Sequence, residues 1–230
     1  MKLYGLQKMT LLDFPGKVAC TVFLGGCDFR CPFCHNFELA ELKAEPLMES
    51  GEFLEFLKKR KGLLDGVAVT GGEPCLWKEL PDFLREIRAL GFHTKLDTNG
   101  NHPELLRKIL SEGLADYVAM DIKSSPGRYA LVSGLPSMNL VPVRESIRLL
   151  LEGNTEYEFR TTVVKELHRE EDFPEMGEMI RGAKRYFLQS FTDRDTVPYE
   201  GFSAPSKEEM RRYADLVRPY VQEVGLRGVE

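Results

Sequence analysis

The sequence predicts an α/β protein whose strands lie parallel. Short runs rich in β-formers alternate with segments of helical spacing, and the polar and glycine-rich motifs fall where the β-runs end. Most of the β-runs carry apolar residues on both faces, as strands covered on both sides do.

The first run is "VACTVFL" (18–24), followed by a loop rich in cysteine and glycine. Phe53, Phe56 and Leu57 mark a first helix, and "GVAVT" (66–70) a second strand. Phe83, Leu84, Ile87 and Leu90 lead to "HTKLDT" (93–98). Leu105, Leu106, Ile109 and Leu110, opened by Pro103 at a first-turn position, lead to "DYVAMDI" (116–122). Ile147, Leu150 and Leu151 precede "EYEFRTTVV" (156–164), and a looser helix at Met176, Met179 and Ile180 precedes "RYFLQSF" (185–191). A last helix is expected from about 206 to 224, with Ser206 and Glu209 spaced as a capping box. Gly62, Gly91, Gly113 and Gly153 follow the first four helices, where left-handed caps are wanted. Such βαβ units form either an open doubly wound sheet or an incomplete β/α barrel, and alternation alone does not choose. No composition break divides the chain, so one domain over 1–230 is expected, with its core at about 17–224 and an N-terminal extension at 1–16.

Composition narrows the function. With 43% hydrophobic and 29% charged residues the chain is that of an ordinary soluble protein, and a net charge of −5 gives no basic surplus for nucleic acid. The opening "MKLYGLQKMTLLDFPGK" lacks a signal-peptide pattern, and no run approaches the ~18 apolar residues of a membrane span. A cytoplasmic protein without membrane or nucleic-acid partners is expected. There, the 5 cysteines point to metal binding or catalysis before disulfides.

Three of them, Cys27, Cys31 and Cys34, lie in "GGCDFRCPFCHN" (25–36). Thiols without a ligand would sit poorly in a loop holding Gly25, Gly26 and Pro32, where oxidation threatens them. Zinc normally takes four ligands; His35 directly beside Cys34 is awkward as the fourth, and no second CxxC pair exists. An iron–sulfur cubane held by three thiolates instead leaves one iron free to bind a substrate or cofactor.

The CxxxCxxC spacing, with aromatic Phe33 before the last cysteine and "GGE" (71–73) after the second strand, resembles the radical S-adenosylmethionine (radical SAM) enzymes. That resemblance implies an incomplete (βα)6 TIM-type barrel. It also implies a [4Fe-4S] cluster on Cys27, Cys31 and Cys34 whose open iron is chelated by S-adenosylmethionine. Gly71 and Gly72 would let the backbone approach the cofactor's amino group, Glu73 would fix that turn, and Phe33, His35 and Asn36 would line the adenine side. His35 as a general base is the less favoured reading.

"LDTNG" and "MDIK" further resemble the activating enzymes of glycyl radical enzymes. Asp97, Thr98 and Asp121 match a monovalent-cation site beside the cofactor carboxylate, and Lys123 matches a cofactor-contacting lysine. Physically, two carboxylates at neighbouring strand ends repel unless a cation or Lys123 compensates them. The stretch "TLLDFPGKVACTVFLGGCDFRCPFCHN" (10–36) most resembles activases of anaerobic ribonucleotide reductase. Asp13, in "DFPG" (13–16), would then face the glycyl loop of that partner, and the loop from 191 to 205 would add to the partner surface. An inserted ferredoxin-like segment, found in some activases, is missing, so one cluster is expected, reduced by a flavodoxin or ferredoxin-type donor. A small-molecule enzyme such as a 7-deazaguanine-forming synthase, or a zinc-binding module, are the alternatives. Cys20 reads as a core residue of its strand, and Cys75 receives no role.

Overall fold

Side chains alternate along each strand, and in this protein the alternation separates an apolar face from a charged one. The computed structural model describes residues 1–229. Its main sheet has eight strands: β2 (Gly5–Thr10), β3 (Ala19–Leu24), β5 (Gly66–Gly71), β6 (His93–Thr98), β7 (Tyr117–Asp121), β8 (Glu156–Val163), β9 (Arg185–Ser190) and β10 (Glu223–Arg227). They are ordered β10-β9-β8-β7-β6-β5-β3-β2, all parallel except β2, which runs antiparallel to β3. A two-stranded sheet pairs β1 (Lys2–Leu3) with β4 (Met48–Glu49).

The helices are α1 (Phe37–Ala40), α2 (Ser50–Lys58), α3 (Leu80–Ala89), α4 (Pro103–Ser111), α5 (Tyr129–Val132), α6 (Val141–Glu152), α7 (Asp172–Met179) and α8 (Lys207–Val217), with a 3-10 turn at Pro74–Leu76. Val22, Leu24, Val67, Val69, Leu96, Val118, Met120 and Leu188 are fully buried and share one core with helix residues such as Phe53, Leu84, Ile109 and Ile147. The opposite face of the sheet carries Lys95, Asp97, Asp121, Glu158 and Arg160, bonded to one another or to neighbours across the strands. A small separate cluster of Phe14, Ala19 and Tyr117 closes this face at the amino ends of the strands. The architecture is the partial barrel that the resemblance implied, with a polar interior. The reading that apolar residues cover both faces therefore fails for β6 and β8, whose inner positions are charged.

All six strands expected from sequence form, and two further ones join them. β2 arises from the segment expected as an extension and becomes one edge of the main sheet. At the other edge, the expected last helix stops at Val217, because Pro219 can neither donate a helical hydrogen bond nor let its predecessor stay helical. The chain then forms β10 against β9. Gly225 is required there: a Cβ would come within 2.5 Å of the Phe187 ring. The capping box of Ser206 and Glu209 is present at α8, and Pro103 occupies the first turn of α4. Gly62, Gly91 and Gly113 have the expected positive φ, whereas Gly153 ends α6 in an extended conformation, φ −81°.

Candidate active site

The carboxyl ends of the parallel strands surround a cavity of about 430 Å³. Cys27, Cys31 and Cys34 stand on its wall, all as free thiols. Burial pushes the Cys27 thiol up to about 12 and the Cys31 thiol up to about 11. Such sulfurs stay protonated until a cation makes the thiolate worthwhile, which is what bound iron does. Among the described residues no three His, Cys, Asp or Glu side chains converge closely enough to hold one metal ion.

The cysteine loop is fastened from three sides. Its root is held by Gly26 N–H donating to the Leu39 carbonyl at 2.8 Å and Cys27 N–H to Ala40 at 3.2 Å, so the short α1 folds back on it. Asp28 accepts from Asn99 Nδ2 (2.8 Å) and Asn101 Nδ2 (2.5 Å) and lies 3.1 Å from His102 Nε2. Burial opposes the Asp28 charge, yet those bonds outweigh it and hold the carboxyl down at about 2. Arg30 N–H donates to the Ser133 carbonyl at 2.8 Å on the third side. Sequence reasoning missed the Asp28 anchor; the only signal was the run of amide and imidazole groups in "NGNH" (99–102) after β6.

The "GGE" segment makes contacts beyond those expected of it. A Cβ on Gly71 would sit 2.3 Å from the Leu24 carbonyl oxygen, and one on Gly72 only 2.0 Å from that of Gly26. The glycines are needed so that the end of β5 can touch the backbone of the cysteine loop, through Gly72 N–H to Leu24 O (2.8 Å) and Glu73 N–H to Gly26 O (2.7 Å). Both glycines still line the cavity, and Asn36 Nδ2 donates to the Gly71 carbonyl at 2.9 Å. Glu73 does not line it: its side chain is 1% exposed, behind the wall. Its two oxygens accept from Cys75 N–H (2.8 Å), the Thr98 hydroxyl (2.8 Å) and Asn99 N–H (2.6 Å), while burial pushes the carboxyl up to about 7. Glu73 is a strut between the loops after β5 and β6, and the Cys75 N–H it accepts lies in the turn just after the glycines.

The two carboxylates expected to need a cation or Lys123 are compensated within the protein, by Lys123 and by other residues. Arg160 on β8 reaches Asp97 at 3.2 Å and Asp121 at 3.0 Å. Lys95, 2% exposed, completes the Asp97 pair, and Lys123 lies 3.0 Å from Asp121. Burial alone would raise Asp121, but Lys123 and Arg160 bring it down to about 2. Burial likewise opposes the Lys123 charge, and the Asp121 charge outweighs it, so Lys123 stays protonated. The Thr98 hydroxyl donates to Glu73 at 2.8 Å. In the protein alone, Arg160, Lys95 and Lys123 balance the two carboxylates, and Asp97, Thr98 and Asp121 all line the cavity. Arg160 and Lys95 were the missed compensators.

On the rim, His35 Nε2 lies 2.6 Å from the Thr192 carbonyl, and the ring stacks on Phe191 with an interplanar angle of 1°. Phe33 meets the same Phe191 edge-on at 6.5 Å. His35, tied to a main-chain carbonyl, is built as part of the wall. Asp13 accepts the Thr21 hydroxyl at 2.6 Å and lines the same cavity with Gln7. Cys20 is a fully buried core residue, and Cys75 is buried beside Glu73.

A partial parallel barrel with a three-cysteine loop at its carboxyl-terminal mouth, clamped to a glycine–glycine–glutamate turn, defines the class. Residues 21–180 match the Radical SAM superfamily, and the chain belongs to it. The family's cofactors are a [4Fe-4S] cluster and S-adenosylmethionine, and the free thiols on the cavity wall suit them.

Along 98% of its length the chain is 28% identical to a Methanocaldococcus jannaschii protein provisionally named as a glycyl-radical enzyme activating enzyme, covering 95% of that protein. It is 29% identical to the pyruvate formate-lyase-activating enzyme of Streptococcus mutans, over 90% of this chain and 86% of the other. In fold it resembles the crystal structure of Streptococcus suis SuiB bound to S-adenosylmethionine, with TM-score 0.69 at 15% identity, over 88% of this chain and 48% of that one. The chain thus spans about half of the SuiB chain. Among the described residues no helix is long and apolar enough to cross a membrane.

Proposed function

We propose that this radical SAM enzyme is an activase, taking one hydrogen atom from the Cα of a specific glycine in a partner glycyl radical enzyme, an anaerobic ribonucleotide reductase. When bound, the cluster and S-adenosylmethionine supply the carbon-centred radical that accepts this hydrogen. Cys27, Cys31 and Cys34 would hold the cluster. Gly71, Gly72 and Asn36 would present main-chain and amide groups to the cofactor, with Phe33 and His35 beside its adenine. Lys123 would face its carboxylate. A flavodoxin or ferredoxin-type protein is the proposed electron donor.

The observation that carries the reading is Asp13. Its carboxylate shares the cavity with the three cysteines, and among the described residues only one of its oxygens is engaged, by Thr21. The other is free to accept a main-chain N–H, the group that every residue of an incoming glycine loop offers. End-to-end similarity to proteins named as activases supports the same reading.

The test is anaerobic incubation of the reduced, cluster-loaded protein with S-adenosylmethionine and an anaerobic ribonucleotide reductase. A glycine-centred doublet in electron paramagnetic resonance is expected, and Asp13→Ala should suppress the doublet while sparing slow uncoupled cleavage of the cofactor. Cofactor cleavage with no doublet from that reductase would overturn the partner assignment, and none from any glycyl radical enzyme would overturn the activase reading.

A further inference from the structure

At the carboxyl end of β7 the chain leaves the sheet, and its backbone groups need partners other than the strand ladder. Ile122 is still held from β8: its N–H donates to the Arg160 carbonyl at 2.7 Å, and its carbonyl accepts the Thr161 hydroxyl at 2.6 Å. The next carbonyl is that of Lys123. Its donor is a side chain, His168, in the turn between β8 and α7; Nε2 stands 2.8 Å from the oxygen, and the residue is 3% exposed.

The other ring nitrogen fixes the tautomer. Val164 N–H donates to Nδ1 at 3.1 Å, so Nδ1 is the bare nitrogen and Nε2 carries the hydrogen given to Lys123. The Val164 carbonyl, 3.2 Å from Nδ1, is already satisfied by the N–H groups of Leu167 and His168 at 3.1 and 3.0 Å. Burial holds the imidazole below its ordinary value and so neutral, the form that accepts on one side and donates on the other. One ring thus ties the end of β8 to the residues just past β7. The Ser125 hydroxyl donates to Asp172, and Arg128 donates to the Leu167 carbonyl at 2.9 Å, joining the same two segments. Those bonds act further along the chain, whereas His168 acts on the carbonyl of Lys123 itself.

Lys123 lines the cavity, with Nζ 3.0 Å from Asp121. We propose that His168 is a positioning residue: through the Lys123 carbonyl it sets where the Lys123 ammonium stands, and so how tightly the site holds the carboxylate of S-adenosylmethionine. The inference rests on the assignment of Lys123 to that carboxylate. A lysine stem is long and flexible, so its ammonium is ordered only when both root and tip are restrained. Asp121 restrains the tip and His168 the root. With the root released, ordering the ammonium becomes a cost of binding the cofactor.

The experiment measures equilibrium binding to the oxidised, cluster-loaded protein, with no reductant and no partner. The ligands are S-adenosylmethionine and 5′-methylthioadenosine, which keeps the adenosine and lacks the methionyl carboxylate. His168→Asn leaves an acceptor near the Nδ1 position for Val164 N–H and removes the donor to Lys123. His168→Gln carries an amide N–H out to the Nε2 position. His168→Asn should bind S-adenosylmethionine about tenfold more weakly, which corresponds to about 1.4 kcal/mol. Methylthioadenosine should be unmoved, and His168→Gln should restore the native affinity. Adding Lys123→Met to His168→Asn should cost no more than Lys123→Met alone, since both act through one contact.

An affinity unchanged in His168→Asn but weakened in Lys123→Met would overturn the positioning role. An affinity unchanged in both would overturn the assignment of Lys123, and the inference with it. Equal weakening of both ligands in the Asn and Gln variants would show a packing role alone and overturn the proposal. If His168→Asn holds no cluster, His168→Gln decides: native affinity supports the proposal, and any loss refutes it. Because no partner protein enters these measurements, failure to form a glycyl radical would leave their outcome standing.

Discussion

Replacing Arg160 with glutamine tests how the barrel interior balances its charges. The guanidinium reaches Asp97 at 3.2 Å and Asp121 at 3.0 Å, and its side chain is 15% exposed. At an effective dielectric of about 20, each such pair attracts by about 5 kcal/mol before desolvation is counted. Desolvation offsets much of that, and removing one partner of a buried pair typically costs about 3–5 kcal/mol. Lys95 and Lys123 remain on the two carboxylates, so the lower end applies, about 3 kcal/mol. For a chain of this size that corresponds to a melting point lower by about 6–12 °C.

The acid side of the stability profile should move too. A carboxyl held below its ordinary value adds stability above about pH 4 that is lost as pH falls. For Asp121 the loss runs down to about 2 in the native protein, and without Arg160 it should be complete at higher pH. Thermal unfolding of the protein under anaerobic conditions, in potassium and in a bulky tetraalkylammonium salt, reads both effects. Potassium should recover part of the loss in Arg160→Gln and leave the native protein unmoved. Equal melting points for the two proteins, or a native protein as responsive to potassium as the variant, would refute the reasoning.

Two further expectations follow from the joints around the cysteine loop. Gly72→Ala puts a Cβ 2.0 Å from the Gly26 carbonyl, so the loop must lift from β5; reconstituted iron content should fall while far-ultraviolet circular dichroism is retained, and full loading would count against the joint. Asp28→Asn turns an amide toward the donors on Asn99, Asn101 and His102, which should cost about 1–3 kcal/mol in urea unfolding. Because the Asp28 carboxyl sits at about 2, the native protein should lose that share of stability as pH falls from about 4 toward 2, and the variant should lack it.

The strands of the barrel were legible because β-formers bounded by glycine and polar residues recur along the chain, and all six expected runs form strands. β2 was hidden because "GLQKMT" is an edge strand, half exposed, with no apolar run to betray it. β10 was hidden because "EVGLR" followed a strong helical pattern, and only Pro219 marked the break. The three cysteines announced the site through spacing alone. The role of Arg160 could not be read the same way, since it depends on β8 lying beside β7 and bringing position 160 opposite Asp121. Pairing across strands 39 residues apart leaves no local trace.

The "GGE" turn shows how a motif recognised in sequence can carry contacts that the sequence does not display. Its position after the second strand is a matter of local sequence, and its glycines do border the cavity. Yet the contacts that forbid a Cβ are with Leu24 and Gly26, both on the stretch that leads into the cysteine loop. Glu73 then binds the neighbouring strand end through Thr98 and Asn99, and Asn99 in turn donates to Asp28 inside the cysteine loop. The three segments form a closed circuit of short hydrogen bonds around the site. Removing any member loosens the others, so the requirement for these residue types is met by the protein's own backbone before a cofactor arrives. A site organised in this way fixes its thiols in advance, and the ligand that fills it pays less to order them.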